Sequence, residues 1–382
     1  MTRPIQAFVD QNALRCNLAE VKSRMLASKI WSVVKANGYG HGLQRIFEGL
    51  RGTDGFAVLE LNEALTLREL GWRGPILLLE GVFDARELED CSRHQLWHTV
   101  HNEVQIDWLS RHKTQQGHRI FLKMNSGMNR LGFKPHTFKS AWARLNALPQ
   151  VEEISLMTHF SDADVPNGTL SAIQTFNEFS QDLSGEVSLS NSAATLMPAQ
   201  TQSINAPTED WARVGISLYG GSVNPSLFDA KHWGLQPVMT LQSQIIATQA
   251  LKAGEHVGYG SIFQAPRDML IGVVACGYAD GYPRNVASGS PVLVQGTRTQ
   301  TVGRVSMDMM CVDLEQLKDQ GIEAGVGSEV TLWGRASNGT VLSIDEIAMS
   351  AQTISYELMC GLATRVPAVS YTHLTLPTIL RV

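Results

Sequence analysis

The chain has 382 residues, 43% apolar and 18% charged, enough for two domains with a large core and too apolar for a disordered chain. Its formal charge of −5, with signs mixed along the sequence, excludes the basic surface a nucleic-acid partner needs. No apolar run approaches the ~20 residues of a membrane-spanning helix, and the opening Met1-Thr2-Arg3-Pro4-Ile5 has no signal-peptide core, so no membrane partner and a cytoplasmic location are expected.

Asp10 stands where it can cap a helix whose apolar positions Leu14, Leu18, Val21 and Met25 recur at helical spacing. The apolar run Ile30–Val34 predicts a buried strand that stops at Lys35 and a glycine-rich loop. Leu43, Ile46, Phe47 and Leu50 predict the next helix, and Phe56–Leu59 the next strand. Further strands are predicted at Ile76–Leu79, Trp97–Val100, Ile120–Lys123, Ile154–Met157, Val187–Leu189 and Val214–Ile216. Eight such runs, most of them separated by helix-length segments, are the number that closes a (β/α)8 barrel, whose active site sits where the strands end.

After Pro237 the period changes to two, with Met239, Leu241 and Ile245 alternating against Thr240, Gln242 and Gln244. Short apolar runs follow at Leu270–Ala275, Val292–Val294, Met309–Val312 and Val330–Trp333, with one helical pattern, Ile344–Ala351, opening after Ser343. The expected fold is α/β, with an N-terminal (β/α)8 TIM-like barrel over residues 1–235 and a C-terminal mainly β domain over 236–369. Residues 370–382 fit neither pattern and are expected to be a tail foreign to the fold or disordered. The five cysteines are scattered with no Cys-x-x-Cys pair, as free thiols in a reducing compartment are.

The densest chemical signal is Val33-Val34-Lys35-Ala36-Asn37-Gly38-Tyr39-Gly40-His41-Gly42. A lysine at the carboxyl end of a buried strand points into a barrel mouth, and such a lysine suits a Schiff base with an aldehyde cofactor. The glycines permit a tight turn, and Tyr39 offers a hydroxyl to a phosphate. The string resembles the lysine motif of alanine racemases. Eight more strings agree in order and spacing, among them Leu122–Gly132, Thr158–Phe160, Asn191–Ala194, Arg213–Gly220, Val257–Gly260, Gly303–Asp308 and Ile354–Glu357.

The resemblance covers residues 4–367 and implies a pyridoxal-phosphate enzyme that interconverts L- and D-alanine, supplying or consuming D-alanine for peptidoglycan. It makes Lys35 the cofactor anchor and one of two proton-transfer groups. Tyr259 is the other, on the opposite face of the substrate and supplied by the partner subunit of a homodimer. Racemisation uses an acid or base on each face, because the α-proton leaves one side and returns on the other. The cofactor contacts it implies are Tyr39, His159, Asn191, Ser192, Arg213, Gly215, Ile216 and Tyr356. Arg130 and the backbone of Met307 are implied to bind the substrate carboxylate, and Lys123 to be carbamylated, which turns a cation into an anion able to pair with Arg130.

Three rival readings stand beside this one. A broad-specificity racemase shares the fold. A decarboxylase on the same barrel has a Gly-rich phosphate triplet and a catalytic cysteine motif that this sequence lacks. A non-enzymatic cofactor-binding protein needs only the barrel, and has no use for Tyr259 and Met307. His94, His98 and His101 have metal-like spacing, but strand alternation sends His98 and His101 to opposite faces, so no metal site is expected.

Overall fold

The computed structural model describes residues 3–114, 116–197 and 209–372. Their contacts divide them into two compact units, one made of 17–38 and 50–218 and the other of the remaining segments. The first strand, β1 (Gln6–Asp10), and residues 39–49 belong with the β-rich unit.

The first unit is built on β2 (Lys29–Val33), β3 (Gly55–Val58), β4 (Ile76–Leu78), β5 (Trp97–Val100), β6 (His118–Lys123), β7 (Val151–Met157), β8 (Val187–Ser188) and β9 (Trp211–Val214). These are the eight expected strands, all parallel, in the order β8-β7-β6-β5-β4-β3-β2-β9. The amides of Asp210 and Arg213 donate to the carbonyls of Val187 and Ser190, both at 2.9 Å, and bring β9 against β8, so the sheet is a nearly closed barrel. The last strand lies earlier than Val214–Ile216, because Ile216 already opens a 3-10 turn.

Alternation along the strands sends every second residue inward. Trp31 stacks on Trp211 with ring centroids 4.1 Å apart, and Trp97 and Phe121 meet Trp31 edge-on. Each of these buried rings contributes about 2–3 kcal/mol. At the strands' amino ends the plug is covered by Lys29 over Trp211 and Arg119 over Trp97. Outside, the helix Glu103–Arg111 is capped by Asn102, which accepts from the Gln105 amide.

The second unit is antiparallel apart from its last strand. β10 (Met239–Leu251) pairs with Met269–Val274 and with Glu329–Arg335, and the strands Met310–Asp313, Thr297–Val302 and Pro291–Val294 complete a closed cycle of six. A register shift between Ile245 and Ala247 lets the long β10 change neighbours along its length. Asp10 caps the helix Gln11–Arg24 through bonds from the amides of Asn12 and Ala13, and Ser343 caps Ile344–Ser350, both as expected.

The final strand, Ala368–Tyr371, runs parallel to β1, with Val9 opposite Ser370 and Asp10 opposite Tyr371. Ser370 and Tyr371, expected to begin a foreign tail, are thus part of the sheet, held by backbone pairing that composition does not reveal. The expectation for 373–382 falls outside the described residues. No helix among the described residues is long and apolar enough to cross a membrane.

Candidate active site

The alternation that buries Trp31 continues to Lys35, just past the carboxyl end of β2. The same parity brings Lys123 to the end of β6, His159 past β7 and Arg213 to β9. After Lys35 the backbone turns left-handed: Ala36, Asn37 and Tyr39 have φ of 54°, 53° and 50°, and Gly38 of 63°. A left-handed conformation costs a non-glycine residue roughly 1–2 kcal/mol, so this turn persists only because its surroundings impose it. The Gly38 amide donates to Val34 O at 2.8 Å, and the Asn37 amide to Glu63 Oε1 at 2.9 Å. Glu63 also accepts from the amides of Leu59 and Glu60, so one carboxylate ties the turn after Lys35 to the turn after β3. The sequence reading passed over Glu63; its signal is the capping pattern Glu60-x-x-Glu63 at the start of a helix.

Arg213 is the best-anchored group. Nη1 donates to Ser188 Oγ at 2.6 Å, and Nη2 to Thr158 O at 2.6 Å, Leu189 O at 3.1 Å and His159 Nδ1 at 3.2 Å. None of these bonds uses Nε, whose hydrogen remains for a ligand acceptor. Burial lowers the Arg213 pKa to about 10, and the nearby Glu209 carboxylate opposes the shift. Glu209, another residue the sequence reading passed over, accepts from the amides of Leu189 and Ser190.

The barrel mouth is rich in positive charge. Burial, then the charges of Arg213 and Arg130, bring Lys123 down to about 8. Burial, then Arg213, Lys123, Arg130 and Lys35, bring His159 down to about 2. Arg130 is exposed on a loop closed by the Asn125 side chain, which accepts from the amides of Gly127 and Asn129, and a small pocket beside it is lined by Lys123, Met128 and His159. Ser192 Oγ accepts from the Gly215 amide at 2.9 Å. Asn191 caps the short helix Ser192–Leu196 by accepting from the Ala194 amide, so in this structure its side chain positions Ser192. Ile216 is fully buried beside Gly215.

The second unit carries the tyrosines. Tyr39 stacks on Tyr219 with centroids 4.6 Å apart and lies 5.9 Å from the Tyr356 ring. Burial and the neighbouring Tyr356 raise its pKa, so the hydroxyl keeps its proton and serves as a donor. Gly40 has φ of +77°, and a Cβ there would lie 2.0 Å from Met359 O, in the helix Ser355–Cys360 that also bears Tyr356. Only glycine lets the chain at residue 40 pass this close to that helix.

Tyr259 stands on a turn of the hairpin His256–Val257 and Phe263–Gln264. Val257 of the hairpin is buried in a cluster with Ala265, Met269, Ile271 and Val302, while Tyr259 itself is 70% exposed. Met307 is also exposed. Its carbonyl accepts from the Ala279 amide, and its own N–H is uncommitted among the described residues. That loop is held by Asp280, a buried carboxylate that accepts from Arg3, from Arg365 Nε at 2.8 Å and from the Gly277 amide at 2.8 Å; Arg365 also pairs with Asp308.

The histidines of the metal-like spacing separate. His101 contacts Glu80 O at 3.1 Å, whereas His98 Nε2 meets His118 Nδ1 at 3.3 Å, with His112 packed on His118. Among the described residues no group of three or more His, Cys, Asp or Glu side chains is arranged to hold a metal ion.

Residues 9–223 match the family described as alanine racemase, N-terminal domain, and residues 238–370 the alanine racemase C-terminal domain. The alanine racemase of Paracidovorax citrulli (strain AAC00-1) is 62% identical over 97% of this chain and 100% of its own length. That of Methylibium petroleiphilum is 60% identical over 96% of this chain and 98% of its own. The crystal structure of the biosynthetic alanine racemase from Pseudomonas aeruginosa superposes with a TM-score of 0.89 at 40% identity, covering 97% of this chain and 100% of that one. Matched through both parts and over nearly its whole length, the chain belongs to the alanine racemase family.

Proposed function

We propose that the protein interconverts L- and D-alanine with pyridoxal phosphate as cofactor, as a homodimer in which each site takes Tyr259 from the partner subunit. The observation that carries this reading is the barrel mouth itself, where Arg213, Lys123, Arg130 and Lys35 gather around a buried His159 whose pKa burial, then these charges, depress. A surplus of cations at a strand-end site fits an anionic cofactor and a substrate carboxylate. The cofactor supplies an aldehyde carbon for covalent capture of the amino group and a ring that withdraws electron density from the α-carbon.

Lys35 would anchor the cofactor through its aldehyde, and its Nζ, once free, would take or return the α-proton on one face. Tyr259 Oη does the same on the other face. Its exposure on a hairpin anchored by a buried cluster supports presentation to a second subunit. Arg213 would hold the ring nitrogen through its Nε–H and, because a guanidinium gives up no proton at neutral pH, would leave that nitrogen unprotonated. That would limit how much charge the ring draws in and disfavour protonation away from the α-carbon.

Arg130 and the Met307 amide orient the substrate carboxylate. Tyr39, Tyr356, Ser192 and the Ile216 amide would take the phosphate, joined by the Gly215 amide on exchanging its present bond to Ser192 Oγ for one to the phosphate, and Asn191 would line the cofactor while capping the Ser192 helix. Lys123, lowered to about 8 by burial and then by the charges of Arg213 and Arg130, exposes more of the free amine that carbamylation requires than an ordinary lysine does, and the resulting carbamate would pair with Arg130.

The test is D-alanine formation from L-alanine by the cofactor-loaded protein, followed together with the visible absorbance of the bound cofactor. Lys35→Ala is expected to lose both. Tyr259→Phe is expected to keep the absorbance and lose racemisation. A parent protein that binds the cofactor and racemises nothing would overturn the reading.

A further inference from the structure

A cavity of about 450 Å3 opens at the amino-terminal ends of β4, β5 and β6, where the strands begin and not where Lys35 stands. Its size lies within the roughly 300–1,000 Å3 of small-molecule sites. Pro75, Leu96 and Trp97 give it an apolar wall, and Arg68, Arg73 and Arg119 share the rest with polar groups and the Glu152 carboxylate, which is paired with Arg119.

Two of these arginines are unneutralised. Arg68 is half-buried and donates to the carbonyls of Gly74 at 2.7 Å, Trp72 and His94 at 3.1 Å and Gln95 at 3.2 Å, which fixes the guanidinium without giving it a counter-charge. Arg73 reaches back to Arg68 O at 3.1 Å with one nitrogen, leaving most of its fork free. Neither forms an ion pair among the described residues. Burial, then the charge of Arg73, lowers the Arg68 pKa, so the two cations feel each other. Arg119, by contrast, is shared between Glu152 at 3.0 Å and Glu153 at 3.6 Å. Like charges brought together at a part-enclosed wall are unfavourable alone, and a bound anion offsets that repulsion.

We infer that this cavity binds a small organic dianion, a phosphate monoester or a dicarboxylate, clasped by the Arg73 fork against the fixed charge of Arg68. Gln95 and Gln116 add amide groups at the rim, and the apolar wall accommodates a short carbon skeleton. The site is separate from the barrel mouth, and the inference does not depend on the reaction catalysed there.

The experiment is calorimetric titration of the protein loaded with pyridoxal phosphate and dialysed free of excess, at constant ionic strength, with glycerol phosphate and with succinate as probes. Saturable binding of either probe is expected, weakened by about tenfold or more in Arg73→Gln, since a charged hydrogen bond carries about 1.5–3 kcal/mol. Arg73→Lys, which keeps the charge and loses the fork, is expected to fall between the two. Which probe binds assigns the anion's class. Binding equal in parent and Arg73→Gln, or no saturable binding of either probe to the parent, would overturn the inference. Arg73 is exposed and makes one backbone contact, so the variant retains the fold, and its unfolding temperature verifies this.

Discussion

Arg213 Nη2 donates to His159 Nδ1 at 3.2 Å. Arg213 stays protonated at neutral pH even with its pKa lowered to about 10, so Nδ1 can only accept. The neutral imidazole therefore carries its proton on Nε2, a fixed donor. Burial and four surrounding cations hold the His159 pKa at about 2, which removes it from any titration in the working range.

His159→Gln keeps an N–H donor of similar reach and loses the imposed tautomer. Its kcat is expected to fall about a hundredfold, within the usual span for a group that assists proton transfer. The acid limb of its kcat/KM profile is expected to keep the parental midpoint, because His159 is neutral on both sides of it. An acid limb that disappears in the variant would show that His159 itself titrates.

Lys123 tests the charge balance at the mouth. As an ammonium it adds to the field of Arg213 and Arg130; as a carbamate it opposes that field. Lys123→Glu supplies a carboxylate on a shorter stem than the carbamate's, and Lys123→Met preserves only the buried stem. Activity is expected to fall less in the Glu variant, with the larger rise in KM for alanine in the Met variant through the freed Arg130. The reverse order, Met above Glu, would show that a cation or nothing is wanted there.

Much of this arrangement was legible in the residues. Short apolar runs marked seven barrel strands and touched the eighth only at its end, Val214, since a strand buried on both faces reads as a continuous run. Alternation from Trp31 then fixed the direction of Lys35. What escaped was whatever depends on long-range pairing. β1 is a short apolar run, Ala7-Phe8-Val9, that says nothing of its partners, yet it joins β10 and the final strand, and no local signal announces that Ser370 and Tyr371 continue a sheet. Glu63 and Glu209 escaped because a carboxylate bonded to distant amides looks, in sequence, like any surface acid.

His98 and His118 are expected to make the fold acid-sensitive. Burial, then the neighbouring His118 and His112, lowers His98 to about 3, and burial, then His112, lowers His118 to about 4. Both are neutral in the folded and unfolded chain well above pH 6.5, so they cost nothing there. As pH falls below that value the unfolded chain takes up protons that the native one refuses, and each site removes up to about 1.4 kcal/mol of stability per pH unit. Urea unfolding between pH 7.5 and 5 is expected to show this slope, and His98→Leu to flatten it by one site's share. A parental slope unchanged in the variant would assign the acid sensitivity elsewhere.

Asp280 works in the opposite direction. Its side chain is fully buried and loses solvation, but the bonds from Arg3, Arg365 and the Gly277 amide outweigh that and lower its pKa. A depressed carboxylate contributes stability that is complete above its unfolded value of about 3.9 and is lost as pH falls through the folded one. Asp280→Asn is expected to cost about 2–3 kcal/mol at neutral pH, less than a wholly buried pair, because the two arginines are 35% and 42% exposed. The deficit is expected to hold from pH 7 to 5 and to shrink below pH 4, where the parent loses the same charge. The loop carrying Met307 hangs on this hub: Gly277 sits so close that a Cβ there would lie 2.4 Å from the Met307 carbonyl. The variant is therefore also expected to raise KM for alanine more than it lowers kcat, and an intact KM alongside the stability loss would confine Asp280 to holding the fold.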